Sequence, residues 1–97
     1  MKVVINKCCG VFSLSEAARK RYLELAGERP TDWLDMDRTD KILVQVVEEL
    51  GPLADGNFAE LAVEDIPSGK WYRIETLSSG RELIRFRDND DDWKLST

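Results

Sequence analysis

The hydrophobic pattern of this chain switches from a helical period to a period near two at Gly51-Pro52, and that change limits the folds open to it. Before it, Ile42, Leu43, Val46, Val47 and Leu50 recur at helical spacing, with Lys41, Gln45, Glu48 and Glu49 on the opposite side. The spacing predicts a helix from about Asp40 to Leu50, stopped by Gly51 and Pro52. After it, apolar and polar residues alternate with a period near two. The stretches "FAELAVEDI", "KWYRIETL" and "RELIRFR" read as strands separated by the turns "PSG" and "SSG", a meander of three antiparallel strands.

The N-terminal part adds a strand and a helix. "KVVI" reads as a short strand running into a turn at Gly10. In "SLSEAARKRYLELAG", Ser13 stands as N-cap with Glu16 as its capping-box partner, Phe12 is placed to staple against Ala17, and Gly27 is a C-terminal stop. That places a helix over residues 14–26. Residues 28–39 carry a proline, scattered acids and no sustained period, so a connection with at most one helical turn is expected. The order is β-α-α-β-β-β, an α+β domain with two helices packed on one face of a small, mainly antiparallel sheet and the other face turned to water. The third strand leaves its buried face open, because Arg81, Leu83 and Arg85 share one side.

At 97 residues the chain fits a single domain, residues 1–97, ending in an acidic tail from about residue 88. No apolar run approaches the roughly 20 residues of a membrane-spanning helix, and "MKVVINKCCG" is too short an apolar run for a signal peptide. A soluble, cytoplasmic protein with no membrane association is expected. Cys8 and Cys9 are adjacent, which strains a mutual disulfide and leaves too few thiols for a tetrahedral zinc site. The chain has no histidine. His-ligated zinc hydrolases, His general bases and Ser-His-Asp or Cys-His nucleophiles are therefore excluded, and neither an enzyme nor a cofactor is expected.

The acids are more informative than the net charge of −5. Residues 28–65 carry three bases against eleven acids, and residues 88–97 one base against four, whereas the two remaining segments are each basic by three charges. The tail "DNDDDW" sets Asp88, Asp90 and Asp92 at alternate positions, as a calcium loop begins. Its sixth position is Trp93 instead of glycine and the chain ends before a twelfth, so no metal site is expected. Glu48 and Glu49 lie in the last turn of the second helix, against its dipole, by about 0.3–1 kcal/mol each. Acids at alternate positions of an extended segment fall about 6.6 Å apart, and a DNA strand carries a phosphate about every 3.4 Å of axis. Such a row is a candidate substitute for phosphates. Direct nucleic-acid binding is not expected, because Arg19, Lys20 and Arg21 form one short basic patch among many acids.

"MKVVINKCCGVFSLSEAA", "VVEELG", Ala54, Gly56 and "AELAVEDIP" together resemble a family of small proteins encoded mainly by phages and other viruses, whose members lack an assigned activity. The resemblance covers about two-thirds of the chain. Cys9 and Val11 depart from it where an aromatic and a glycine are usual, as does the ending "RFRDNDDDWKLST". It implies a phage gene and a shared fold, and no catalytic residue. In class and charge, not in motif, the chain is similar to the anti-CRISPR proteins that imitate DNA. The expected function is an inhibitor that blocks target DNA binding by a CRISPR surveillance complex, a host ribonucleoprotein with a basic nucleic-acid-binding groove. Its contacts would be Asp32, Asp35, Asp37, Asp40, Glu48, Glu49, Asp88, Asp90, Asp91 and Asp92, with Trp33 and Trp93 as aromatic anchors. The alternative is a small phage adaptor or housekeeping domain that binds another protein without nucleic-acid mimicry.

Overall fold

The computed structural model describes residues 1–8, 10–34, 36–67, 71–87 and 94–95. The elements run β1 (Lys2–Asn6), α1 (Glu16–Ala26), α2 (Lys41–Leu50), a 3-10 turn (Gly51–Ala54), β2 (Leu61–Asp65), β3 (Trp71–Thr76), β4 (Glu82–Arg87) and β5 (Lys94–Leu95). This is a small α+β fold. Among the described residues the strand pairings are antiparallel, in two sheets, β1–β2 and β4–β3–β5.

α2 forms where its period demands, although four of its ten residues are β-branched and poor helix formers. Burial of Leu43, Val44, Val46 and Val47 overrides that preference. Asp40 caps it, its Oδ1 accepting from the N–H groups of Ile42 and Leu43, and Gly51 ends it at φ 55°. α1 starts two residues later than expected. Its N-cap is Ser15, not Ser13: the Ser15 hydroxyl accepts from the Ala18 N–H at 3.1 Å and donates to the Leu53 carbonyl at 2.6 Å. The 3-10 turn after α2 thus selects the cap, while Leu14 is held in an isolated bridge to Asp55.

The strand expected from Phe58 begins only at Leu61, because Phe58 takes a left-handed backbone, φ 61°. The expected three-strand meander does not form either. β2 pairs with β1, from Lys2↔Asp65 to Asn6↔Leu61, and β3 and β4 make a separate hairpin. Both faces of β1 are consequently buried. Val4 packs with α1, α2, Leu61 and Val63 on one side, and Val3 and Ile5 pack with Ile66, Tyr72, Ile74 and Ile84 on the other. The face that alternation would turn to water is covered by the hairpin, with Tyr72, Ile74, Glu82 and Ile84 inward and Arg73, Glu75 and Arg85 outward. Lys94 and Leu95 pair with Tyr72 and Trp71, so residues 94–95 return to the sheet.

Candidate functional site

The acids singled out from the sequence divide into those the fold uses and those it leaves outward. Asp40 is half-buried. Besides capping α2 it accepts the Tyr22 hydroxyl at 2.6 Å, and Tyr22 packs edge-on against Trp33 with ring centroids 5.5 Å apart. Trp33 is half-buried against the helical core, so it acts as a packing residue within the protein. Glu49 takes two hydrogen bonds from Arg21, both at 3.0 Å, and the guanidinium holds its carboxyl below the usual range. Glu48 accepts from Lys2 Nζ at 2.8 Å. The two glutamates set against the dipole of α2 are thus neutralised by bases from β1 and α1. Asp32 and Asp37 are exposed, Asp32 accepting from the Leu34 N–H and Asp37 from the N–H and hydroxyl of Thr39. Asp35, Asp88, Asp90, Asp91, Asp92 and Trp93 lie outside the described residues.

Burial first, then the hydrogen bond to Asp40, pushes the Tyr22 phenol up to about 12. Tyr22→Phe is expected to cost about 1.5 kcal/mol in urea denaturation, since the bond lost runs to a carboxylate. The sign with pH follows from the raised value. The folded state keeps a proton that the unfolded chain, with its tyrosine near 10, has released. This contribution is therefore intact below pH 10 and lost as pH rises toward 12. Tyrosinate absorbance should show a late-titrating phenol that Tyr22→Phe removes.

A second assembly was not anticipated from sequence. Asn6, fully buried, donates from Nδ2 to the carbonyls of Cys8, Gly10 and Gly80, and accepts at Oδ1 from the N–H groups of Cys8 and Glu60. One amide thereby fastens three loops together. Gly10 donates to the Ser79 carbonyl at 2.9 Å, and a Cβ on Gly80, at φ 94°, would overlap the Gly10 backbone. Beside this junction Arg38 forms a bidentate pair with Glu82, its Nη2–Oε2 distance 2.9 Å, and stacks 3.6 Å from the centre of the Phe12 ring. Glu82 also accepts the Asn6 N–H, and the Arg38 carbonyl takes the Val4 N–H. The Val4 and Asn6 N–H groups, which face away from β2, are thus answered by a loop and a side chain.

The loops tied by Asn6 and Arg38 carry apolar side chains outward. Val11, Leu34, Phe58 and Leu77 are 68, 59, 82 and 42% exposed. Val11 and Leu34 wall a shallow cavity of about 270 Å³ floored by Phe12, Arg38 and Glu82. Phe58 abuts Gly10, and Leu77 accepts from the Gly80 N–H. A bulky residue at positive φ stores strain of about 1 kcal/mol or more, here in a side chain that packs into no core cluster. Elsewhere an open groove of about 730 Å³ runs between Met1, Lys2 and the Lys41, Val44 and Glu48 side of α2, rimmed by both signs of charge.

Among the described residues no three His, Cys, Asp or Glu side chains converge to hold a metal ion, and no helix is long and apolar enough to cross a membrane. What fold and site define is a small α+β domain with loops tied together at one end by a buried amide and an ion pair. No protein-family model, curated protein or solved structure matches the chain.

Proposed function

We propose that this chain is a small non-catalytic domain that binds another protein, of the phage adaptor or inhibitor type, and that the apolar loop end makes the contact. The observation that carries this reading is the grouping of Val11, Leu34, Phe58 and Leu77 on loops fixed by a buried amide and a buried ion pair. Exposed apolar side chains presented by rigid loops supply the water-excluding centre of an interface without the entropy cost of ordering it. An anti-CRISPR role by DNA mimicry has less to draw on. Asp40, Glu48 and Glu49 are engaged within the fold, so its phosphate substitutes would be Asp32 and Asp37 with Asp35, Asp88, Asp90, Asp91 and Asp92.

The test uses the full chain immobilised against bacterial lysate and against a purified CRISPR surveillance complex, each at low and high salt. A partner retained at high salt is expected, because an apolar contact is not screened. Retention should fall about tenfold with Val11→Ser or Phe58→Asn, the latter chosen because asparagine tolerates the left-handed backbone. Glu48→Gln with Glu49→Gln should leave it unchanged. A surveillance complex whose target-DNA binding is blocked only at low salt, independently of Phe58, would replace this reading with mimicry.

A further inference from the structure

The backbone of β4 has an open side. The Leu77 N–H donates to the Arg81 carbonyl, which starts an antiparallel alternation in which Glu75 bonds Leu83 and Arg73 bonds Arg85. The N–H and C=O groups of Glu82, Ile84 and residue 86 therefore point away from β3. Among the described residues no strand or loop backbone pairs with them, since β5 lies on the opposite edge of the sheet. Alongside runs a groove of about 270 Å³ lined by Ile5, the ion-paired Lys7 and Glu64, and Asp65 on one side and by residues 81–84 on the other. Arg81 and the first three residues of β4, from both faces of the strand, line it, which identifies its wall as the strand edge.

We infer that this edge accepts an extended segment of a partner protein, added as a strand beside β4, in which acidic residues alternate with apolar ones. The alternation follows from the two faces. Segment residues opposite Glu82 and Ile84 point inward over Ile5 and Ile84, where an apolar side chain fits. Their neighbours, opposite Leu83 and Arg85, point to the outer face. There Arg81 has no ion pair among the described residues and Arg85 shares Glu75 with Arg73, so carboxylates complement the edge. A second copy of the same edge does not fit. Antiparallel self-pairing about Leu83 sets Arg81 opposite Arg85 of the other copy at both ends, and pairing about Arg85 sets that residue opposite itself; like charges directly opposite oppose pairing.

The inference rests on the protein-binding reading but on a different surface, so the two fail separately. The probe is a capped peptide of about seven residues alternating Val and Glu, titrated into the isotope-labelled full-length protein. Amide exchange is read at Ile84, whose N–H is one of the open donors. Saturating peptide is expected to slow exchange at Ile84 about tenfold or more and to leave Val3 and Val46 unchanged. Arg81→Glu, an exposed change, should weaken peptide binding about threefold, and a Val-Lys peptide should bind more weakly than the Val-Glu peptide. Unchanged exchange at Ile84, or equal binding by a peptide methylated on alternate amide nitrogens, would overturn the inference. So would protection of Ile84 that rises with protein concentration in the absence of peptide, which would assign the edge to a second copy. A protein partner lost with Phe58→Asn that leaves Ile84 unprotected would likewise remove the edge while sparing the loop-end reading.

Discussion

Glu82→Ala is expected to destabilise the protein by about 3–5 kcal/mol, read as a shift of the urea midpoint at unchanged slope. The carboxylate is 6% exposed and answers the half-buried Arg38 guanidinium and the buried Asn6 N–H. Removing it leaves a cation, 16% exposed, against an apolar ring with no counter-charge. A domain of this size has about 5–15 kcal/mol in total, so the variant should be near its folding threshold. Arg38→Met should cost a similar amount, because it strands Glu82 instead and removes the stacking on Phe12. The double variant, Arg38→Met with Glu82→Leu, should be more stable than either single change, since no buried charge is left alone. It should still fall below the parent by about 1–3 kcal/mol for the unanswered Asn6 N–H. Single-variant losses below about 1 kcal/mol would show that water reaches the pair.

The second large effect is expected at Asn6. Asn6→Asp keeps the size and the acceptor oxygen but turns the donor end into a carboxylate facing the carbonyls of Cys8, Gly10 and Gly80. At neutral pH the loss should exceed about 3 kcal/mol, from burying a charge and from the missing donors together. Its pH dependence identifies the cause. Burial among carbonyls raises the pKa of the introduced carboxyl, so the folded state holds a proton after the unfolded chain has released its own near 4. Stability should therefore fall as pH rises from about 4, and the gap to the parent should narrow in acid. A loss independent of pH would mean that the loops have moved apart to hydrate the carboxylate.

These two sites show where reading the sequence stops. The period of Ile42 to Leu50, with Asp40 before it and Gly51-Pro52 after it, is local information, and α2 lies where that information places it. Ser13 and Ser15 are both competent caps, and only the contact of Ser15 with Leu53 and Ala54 chooses between them. On β4 the alternation itself misleads. Glu82 shares the inward face with Ile84, and a charged residue there is tolerable only because Arg38 arrives from the connection before α2. Asn6 at the end of a short apolar strand gives no local sign that three loops will meet on its amide.

The acids were legible as residues and not as a surface. Clustering of Asp32 to Asp40 and the placement of Glu48 and Glu49 against the helix dipole are sequence facts. Whether a carboxylate is spent within the fold depends on Lys2, Arg21 and Tyr22, which are 18 to 46 residues away. The sequence by itself determined the class, the helices and the alternating half, because period, caps and turn residues act over a few neighbours. Only the tertiary structure decided that β2 pairs with β1, that both faces of β1 are buried and that the edge of β4 stays open. Those outcomes depend on which strand edges meet, and every edge offers the same N–H and C=O groups whatever its side chains.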